Sequence, residues 1–359
     1  MAFSIPKALS NPGSISILRK HNVVYLDRGL IILNKPSGLV TQGTTNVEKK
    51  EGTIQVAIDD IRAALGMEEG PFTVQRLDKP TTGAYVLATT AHEAKLLSQA
   101  FMHTELESKS PNLARKQYIA LVHTLRAKRL FGDTSNVERA VDISEIKVGA
   151  RQRLDVDLYI NREGRVALWN SVLKRLKDSD VIKAQQRKRV AISDFEVLAV
   201  ANKYDVALMK MQLYTGLKHQ LRATSALACH APILGDTLYG HPEDQSNLPK
   251  NTPPADRLML HSSSLTLTRF AGGKPFNFHV TVPPPTEFLE TCNTLGVQLP
   301  SSLLTGGVWY DDTEVTKHLR DGKLKASGER DYSSLEGVWL GKQPRSGVEL
   351  PFFIKAKDE

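Results

Sequence analysis

The chain has 359 residues, of which 41% are hydrophobic and 24% are charged. This length supports one large domain or two smaller ones with a buried core, and the charged fraction is typical of a soluble globular protein. The formal net charge of +8 and the pI of about 9.3 indicate either a polyanionic partner such as nucleic acid or a mildly basic enzyme without one.

The two cysteines, Cys229 and Cys292, lie far apart and form no CxxC pair. This disfavours a zinc site and a disulfide framework, and it fits a reducing compartment. No apolar run approaches the roughly 20 residues that a membrane-spanning helix needs. Neither the GxGxxG pattern of dinucleotide-binding folds nor the GxxxxGK[ST] pattern of P-loops occurs. The sequence therefore predicts no membrane partner, no metal and no nucleotide cofactor.

The first 26 residues contain no Asp or Glu but include Lys7, Arg19 and Lys20. This composition is compatible with a mitochondrial targeting presequence, although the prolines in this stretch weaken an amphipathic helix. We therefore predict a flexible N-terminus over residues 1–22, which is either a targeting segment or a plain disordered end.

The first half of the chain alternates apolar runs with turn signals. Residues 30–33 predict a buried strand, and residues 53–65 show apolar side chains at helical spacing. A further strand is predicted over 84–90. Thr90 and Glu93 then form a capping-box pattern for a helix that ends near residue 105. Residues 116–123 predict another strand.

The second half begins with a long basic stretch of weak periodicity, residues 124–190, which we interpret as an insertion that is either solvated surface or an RNA contact. Regular structure resumes with an antiparallel pair of strands, a helix near 218–229, two more strands and a short helix; the predicted strands are 195–201, 205–213, 258–268 and 276–282. Residues 300–359 receive no role. The predicted fold is α+β, with a mainly antiparallel sheet and helices packed on it.

The stretch VQRLDKPTTG, residues 74–83, carries one acid, Asp78, on a turn between two apolar elements. Pro80 fixes its own φ and biases Lys79 away from helix, and Gly83 allows a backbone conformation that other residues resist. An acid held on a loop between core elements suits chemistry, but it is also an ordinary turn carboxylate. These residues alone leave both readings open.

Four stretches in the same order resemble the pseudouridine synthases of the RluA type. They are LIILNKPSGLVTQG at 30–43, QRLDKPTTG at 75–83, KQYIALV at 116–122 and TGLKHQLRATSALACHAPILGDTLYG at 215–240. LMLHSSSLTL at 258–267 resembles a further strand of that family. The resemblance implies a catalytic domain over residues 23–299, with a long, largely antiparallel sheet and a central cleft. It also implies isomerisation of uridine to pseudouridine in RNA without a metal or an organic cofactor.

The resemblance assigns three catalytic residues. Asp78 falls on the family's catalytic aspartate, which either attacks the sugar or takes part in proton removal there. Tyr118 falls on the active-site tyrosine, whose ring can stack on a base that has been flipped out of its helix. Arg222 falls on the basic residue that pairs with the aspartate and keeps it ionised.

Further residues of these motifs are candidates for binding the substrate. Arg76 and Lys79 flank the acid and are predicted to contact RNA phosphates. His219 and Gln220 are expected to be structural or RNA-contacting, not catalytic. The remaining candidates are Gln75 and Lys218, which lie at or next to two positions where this sequence departs from the family.

Gln75 stands where the family has a histidine, which places base flipping or substrate preference in doubt. Leu217 stands where the family has an arginine, which removes a phosphate contact that Lys218 would partly replace.

The sequence thus predicts an RNA pseudouridine synthase, and its acid-free N-terminus resembles mitochondrial members that modify large-subunit rRNA. Two alternatives stay open. The first is a catalytically inactive RNA-binding or ribosome-assembly protein on the same scaffold, which the Gln75 and Leu217 departures motivate. The second is an active synthase that modifies tRNA.

Overall fold

The computed structural model describes residues 5–41, 52–102, 114–124, 147–240, 246–311, 313–320, 332 and 335–341. Parts of five predictions lie outside these residues: the extreme N-terminus, the end of the first motif at 42–43, the end of the helix predicted to reach about residue 105, residues 125–146 of the insertion, and much of the region after 320. The chain forms two compact units, which cut across the predicted boundaries at 22 and 299. Unit 1 comprises Met1–Lys116, Ser262–Pro285 and Pro300–Glu359, and unit 2 comprises Gln117–His261 and Thr286–Leu299.

The strands of unit 1 come from three separate parts of the chain. They are β1 (Val23–Leu26), β2 (Leu30–Lys35), β3 (Phe72–Thr73), β4 (Thr82–Ala88), β10 (Leu260–Ala271, in this unit from Ser262), β11 (Lys274–Thr281), β12 (Gly307–Tyr310), β13 (Thr313–Glu314) and β14 (Val338–Trp339). Their order is β14-β1-β2-β4-β10-β11-β12-β13, with β3 paired to β4. The pairings within the unit whose register is resolved are antiparallel, as predicted.

The N-terminal residues of unit 1 are folded. Helix α1 (Ile5–Leu9) and helix α2 (Pro12–Lys20) pack on helix α3 (Ile54–Leu65). Ile5 and Leu18 are fully buried, and the Ser14 hydroxyl donates to the Ala64 carbonyl at 2.7 Å. The prediction of a flexible segment is therefore wrong for residues 5–22, because apolar side chains at helical spacing bury against α3 despite the prolines.

The region after residue 300 also belongs to the fold of unit 1. Helix α9 (Ser301–Thr305), strand β12 and helix α10 (Thr316–Arg320) follow one another, and β12 pairs with β11. Strand β14 pairs with β1, so that Trp339 lies opposite Tyr25. Their apolar side chains join the main core of the unit; these are Val308, Tyr310, Val315, Leu319, Tyr332, Leu335 and Trp339. These residues complete the sheet and are not an appended extension.

The strands of unit 2 follow the order β5-β9-β8-β6-β7. They are β5 (Ala114–His123, in this unit from Gln117), β6 (Arg151–Ile160), β7 (Val166–Leu168), β8 (Lys188–Ala201) and β9 (Val206–Leu213). Strands β8 and β9 form the predicted antiparallel pair, joined by a 3-10 turn at Asn202–Tyr204. Strand β6 pairs antiparallel with both β8 and β7.

The described part of the predicted insertion, residues 147–190, is regular. Besides β6 and β7 it contains the short helices α5 (Trp169–Leu173) and α6 (Asp178–Gln185). Leu154 and Leu158 are buried, and Val156 and Ile160 share their face of β6 and pack on a small apolar cluster. This period-two alternation was the signal of a strand, and the basic composition of the whole stretch from 124 to 190 obscured it.

The remaining helices match the predictions closely. Helix α4 (Ala91–Met102) begins after Thr90, whose hydroxyl accepts from the Glu93 amide as the capping box predicts. Helix α7 (Gln220–Ala223) continues directly into a π-helical turn at Thr224–Ala228. Helix α8 (Thr286–Leu295) follows the proline run. Among the described residues, no helix has the length and apolarity to cross a membrane.

Candidate active site

In unit 1, Asp78 lies on the loop between β3 and β4. Leu77 is buried and anchors the loop, Asp78 is half-buried, and Arg76 and Lys79 are exposed. The Thr81 amide donates to the Asp78 carbonyl at 3.1 Å, which closes the predicted turn around Pro80. The loop thus presents its carboxylate between two exposed cations, as a site for a polyanionic substrate requires.

The loop is held by a buried lysine from the end of β2. Lys35 is 1% exposed, and its ammonium group donates to the carbonyls of Pro36, Lys79 and Thr81 at 3.0, 3.1 and 2.7 Å. An ammonium carries three donors, and these three carbonyls use all of them. The carbonyls of Lys79 and Thr81 come just after Asp78 in the loop, so Lys35 holds the backbone on the C-terminal side of the acid.

Three neighbours of Lys35 add further contacts to the same loop. Ser37 Oγ donates to the Pro80 carbonyl at 3.2 Å, and the Gly38 amide donates to the Lys79 carbonyl at 2.9 Å. Thr41 Oγ1 donates to the Leu77 carbonyl at 2.8 Å and accepts from the Leu77 amide at 3.3 Å. The first motif therefore acts as a brace for the second, which its reading as a turn signal did not reveal.

Gly83 ends the loop where no side chain fits. Its φ is +111°, and a Cβ at this position would lie 2.2 Å from the Ser262 carbonyl oxygen. Both the backbone conformation and the close approach of the neighbouring strand require glycine. The predicted special role of Gly83 is confirmed. Gln75, at the other end of the loop, is half-buried and donates weakly to the Ala84 carbonyl at 3.4 Å.

In unit 2, Arg222 lies in α7 and is almost fully buried. Its Nε donates to Oδ2 of Asp236 at 2.7 Å and its Nη2 donates to Oδ1 at 2.8 Å, which is a bidentate pair. The amides of Leu238 and Tyr239 also donate to Oδ1 of Asp236, at 2.9 and 3.1 Å. The Tyr239 ring lies 5.5 Å from the guanidinium carbon. The guanidinium plane is thereby fixed in orientation.

Gln220 holds the loop before α7 onto the sheet. Its Oε1 accepts from the Thr215 hydroxyl at 2.9 Å and from the Leu217 amide at 3.0 Å. Its Nε2 donates to the Ile192 carbonyl at 3.1 Å and to Ser193 Oγ at 2.9 Å. All four hydrogen-bonding positions of this buried amide are used within the protein. Of the two roles expected for Gln220, structural or RNA-contacting, these bonds support the structural role.

The residues on either side of Gln220 have separate environments. His219 adopts a left-handed conformation with φ of +53°, and its Nδ1 lies 3.1 Å from the Tyr239 hydroxyl. Leu217 packs on the apolar cluster that contains Leu158 and Ala223. At the position where the family has an arginine, this chain therefore has a half-buried apolar residue.

Tyr118 lies in β5 and is 5% exposed. Lys116, two residues earlier, is half-buried with its ammonium 5.3 Å from the centre of the Phe101 ring. Loss of hydration lowers the pKa of Lys116 to about 8.

The described geometry brings the predicted site residues together in two groups. Gln75, Arg76, Asp78 and Lys79 share the loop of unit 1. In unit 2, the second group consists of Lys218, His219, Gln220 and Arg222 on one loop and helix. The predicted pairing of Asp78 with Arg222 stays a prediction.

Sequence reasoning missed Lys35, Asp236 and Tyr239. Asp236 and Tyr239 stood within the quoted GDTLYG motif, and Lys35 within NKPSG, so their motifs were the available signal. Across the described residues, no group of three or more His, Cys, Asp or Glu side chains is placed to hold a metal ion.

Comparison with known proteins places this arrangement in a family. The sequence profile described as RNA pseudouridylate synthase matches residues 29–227. More than half of the chain is matched, so the chain belongs to this family and is an RNA pseudouridine synthase, an enzyme that acts on RNA. The matched stretch contains the loop of Asp78, strand β5 and Arg222.

Individual relatives match the chain at low sequence identity. The chain is 27% identical over 306 residues to "Pseudouridylate synthase RPUSD4, mitochondrial" from Xenopus tropicalis, which covers 81% of this chain and 86% of the relative. It is 26% identical to "Ribosomal large subunit pseudouridine synthase C" from Buchnera aphidicola, over 77% of this chain and 71% of the relative. The solved structure of human RNA pseudouridylate synthase domain containing 4 aligns with a TM-score of 0.53 at 20% identity, over 80% of this chain and 98% of that one. This likeness confirms the predicted fold.

Proposed function

We propose that Asp78 is the catalytic carboxylate with which this synthase isomerises uridine in structured RNA. The observation that carries the proposal is the held loop: the carbonyls of Lys79 and Thr81, just after Asp78, are bound by the buried ammonium group of Lys35. A catalytic group must be fixed near its productive geometry, and a loop braced in this way supplies that rigidity. A solvated turn carboxylate has no need of a buried lysine.

The chemistry begins at the N-glycosidic bond of the target uridine. The Asp78 carboxylate either attacks the sugar or takes part in removing a proton from it, and the bond between N1 and the sugar breaks. The uracil then turns and rejoins the sugar through C5. N1 gains a proton, C5 loses one, and no atom is gained or lost overall.

In this proposal, Arg222 orients Asp78 and keeps its carboxylate ionised. Asp236 binds the Nε and Nη2 edge of Arg222, which fixes the plane of the guanidinium group. A guanidinium whose plane is fixed on one side presents its remaining donors in one direction. Tyr118 provides a ring for the flipped base, whose extrusion costs a few kcal/mol, and stacking returns about 1–3 kcal/mol.

The proposed substrate is mitochondrial large-subunit rRNA, and the proposed compartment is the mitochondrion. One relative carries "mitochondrial" in its name and another carries "ribosomal large subunit", and these names support the proposal for this chain. The basic net charge of +8 fits a large RNA partner.

The direct test is the Asp78→Asn variant, assayed for tritium release from RNA that contains 5-tritiated uridine. We expect a loss of at least about a thousandfold, because the carboxylate that reacts with the sugar is absent. RNA binding should persist, since the amide has nearly the same shape. Activity of the variant close to that of the wild type would overturn the role of Asp78.

The substrate needs a separate experiment. Pseudouridine mapping of total RNA from cells that lack the protein, against the parent, should show one or more sites lost from the mitochondrial large-subunit rRNA. A site lost from tRNA would replace the proposed substrate and keep the enzyme. RNA binding by the wild type with no site lost anywhere would favour the inactive RNA-binding alternative.

A further inference from the structure

The turn between β6 and β7 presents two exposed arginines, Arg162 and Arg165. The turn is ordered by its own hydrogen bonds. The Arg165 amide donates to Asn161 Oδ1 at 2.7 Å, and the Gly164 amide donates to the Asn161 carbonyl at 3.1 Å. Gly164 itself has a φ of +76°. The two guanidinium groups therefore project from a defined backbone.

A third cation lies against this turn. A Cβ at Gly164 would lie 2.4 Å from Nζ of Lys218, so the ammonium group occupies the space that a side chain would need. Lys218 stands four residues before Arg222. Tyr239, whose ring lies by Arg222, packs on the same apolar cluster as Val166, the first residue after the turn. The turn is thus connected to Arg222 through packed residues of one unit.

These three side chains differ from two cations on the strands of the same unit, which form ion pairs. Arg151 pairs with Glu196 at 2.8 Å and Lys188 pairs with Asp157 at 2.7 Å. Within the part of the chain that the structure describes, Arg162, Arg165 and Lys218 have no ion-pair partner. Glu163, also in the turn, is exposed and makes no described ion pair either.

The charge of the surrounding segment has the same sign. Residues 147–190 contain twelve Lys and Arg against five Asp and Glu, a net charge of +7 in a chain whose total is +8. Unpaired cations on a rigid turn beside a motif that binds RNA suit phosphate oxygens, which are bound without regard to sequence.

We propose that Arg162, Arg165 and Lys218 form a phosphate-binding surface for the RNA backbone next to Arg222. The surface would supply a phosphate contact that the apolar side chain of Leu217 cannot make. This inference rests on the proposed function for its ligand, because RNA is the polyanion that an enzyme of this family must hold.

The test compares the double variant Arg162→Gln/Arg165→Gln with Lys203→Gln. Lys203 is an exposed cation on the β8–β9 turn of the same unit, which makes it a matched control. The probe is polyuridylate, whose affinity is measured over a range of salt concentrations. Each lost phosphate contact lowers the slope of log affinity against log salt by about 0.7 for a single strand.

We expect the double variant to lose about 1.4 from this slope, and a triple variant that adds Lys218→Gln to lose about 2. The Lys203→Gln slope should equal that of the wild type, and Glu163→Gln should bind slightly more tightly. In the tritium assay, KM should rise with little change in kcat. Thermal unfolding midpoints near that of the wild type would show that the exposed substitutions leave the fold intact.

Equal salt-dependence slopes for the double variant and Lys203→Gln would overturn the proposed phosphate-binding surface, whether or not the enzyme releases tritium. A wild type that releases no tritium but whose slope depends on the three cations would overturn the proposed activity and keep the surface. The two failures are therefore distinguishable.

Discussion

Lys35 and Arg222 are both buried cations beside segments proposed to act in catalysis, but they bind different partners. Lys35 donates to three backbone carbonyls in unit 1, whereas Arg222 pairs bidentately with the Asp236 carboxylate in unit 2. An ammonium is a compact charge whose three donors diverge, which fits carbonyls from different directions. A guanidinium is a planar fork, which fits the two oxygens of one carboxylate.

The difference teaches what each site can tolerate. Arg222 shares a buried ion pair with Asp236, so replacing Arg222 by a neutral residue removes this cation from a buried carboxylate. Lys35 donates to three backbone carbonyls, so its removal leaves these carbonyls without a charged donor. Lys116 provides a third environment, because its described partner is the ring of Phe101 at 5.3 Å. Four substitutions break or sharpen this comparison.

The largest effect is expected from Arg222→Met. It leaves the Asp236 carboxylate buried without a cation, and the free energy of unfolding should fall by about 3–5 kcal/mol in urea denaturation. Arg151→Met removes an exposed pair and should cost less than about 1 kcal/mol. Arg222→Lys should fall between the two, because it keeps the charge and loses the fork. Equal losses of unfolding free energy for Arg222→Met and Arg151→Met would contradict a stabilising role of the buried Arg222–Asp236 pair.

Lys35→Met should lower the free energy of unfolding by about 2–4 kcal/mol, because three carbonyls lose a charged donor. Activity should also fall, since the loop that carries Asp78 is no longer braced. Lys79→Met is the matched control: Lys79 is exposed on the same loop, so its loss should change stability by about 0.5 kcal/mol or less. A Lys35→Met protein as stable as Lys79→Met would show that the loop does not depend on the brace.

Lys116→Met tests the cation whose partner among the described residues is an aromatic ring. Its pKa is about 8 in the folded chain against an ordinary 10.5. Between these pH values the unfolded chain binds more protons, so the stability that Lys116 contributes rises with pH. We expect the wild type to gain stability relative to Lys116→Met as pH increases from about 8 to 10.5, measured by urea denaturation. A stability difference between the wild type and Lys116→Met that stays constant across this pH range would rule out the lowered pKa of Lys116.

Gln75→His should have the smallest effect on the fold. The amide of Gln75 makes one long hydrogen bond of 3.4 Å, so stability should change by about 0.5 kcal/mol or less. The substitution restores the family's residue, and we expect the relative tritium release from different RNA substrates to change. Identical rates on every RNA would show that the histidine does not govern substrate preference in this chain.

Sequence reasoning succeeded where a local pattern decides the structure. The apolar spacing of Ile54–Leu65 and the capping box of Thr90 each predicted a helix that the structure has. The fold class was also predicted, because motifs in a fixed order carry a family's architecture. The alternation in β6 was equally local, but the basic, weakly periodic stretch around it concealed it.

The site was predictable only in part. Asp78 and Arg222 could be assigned from their motifs, but the partners that hold them could not. Lys35 precedes Asp78 by more than 40 residues, and Asp236 follows Arg222 across a loop, so each contact depends on tertiary structure. The N-terminal helices were missed for a related reason: their apolar side chains gain stability only when α3 is present to cover them.

Unit 1 is completed by the last described residues of the chain. Strand β14 pairs with β1, although more than 300 residues separate them in sequence. A chain emerging from the ribosome cannot form this pairing until almost all of it has been made, whereas most of unit 2 is contiguous and available earlier. The unit that carries Asp78 is therefore finished last during synthesis, so an incomplete chain should hold the turn of Arg162 and Arg165 in place before it can hold the loop of Asp78.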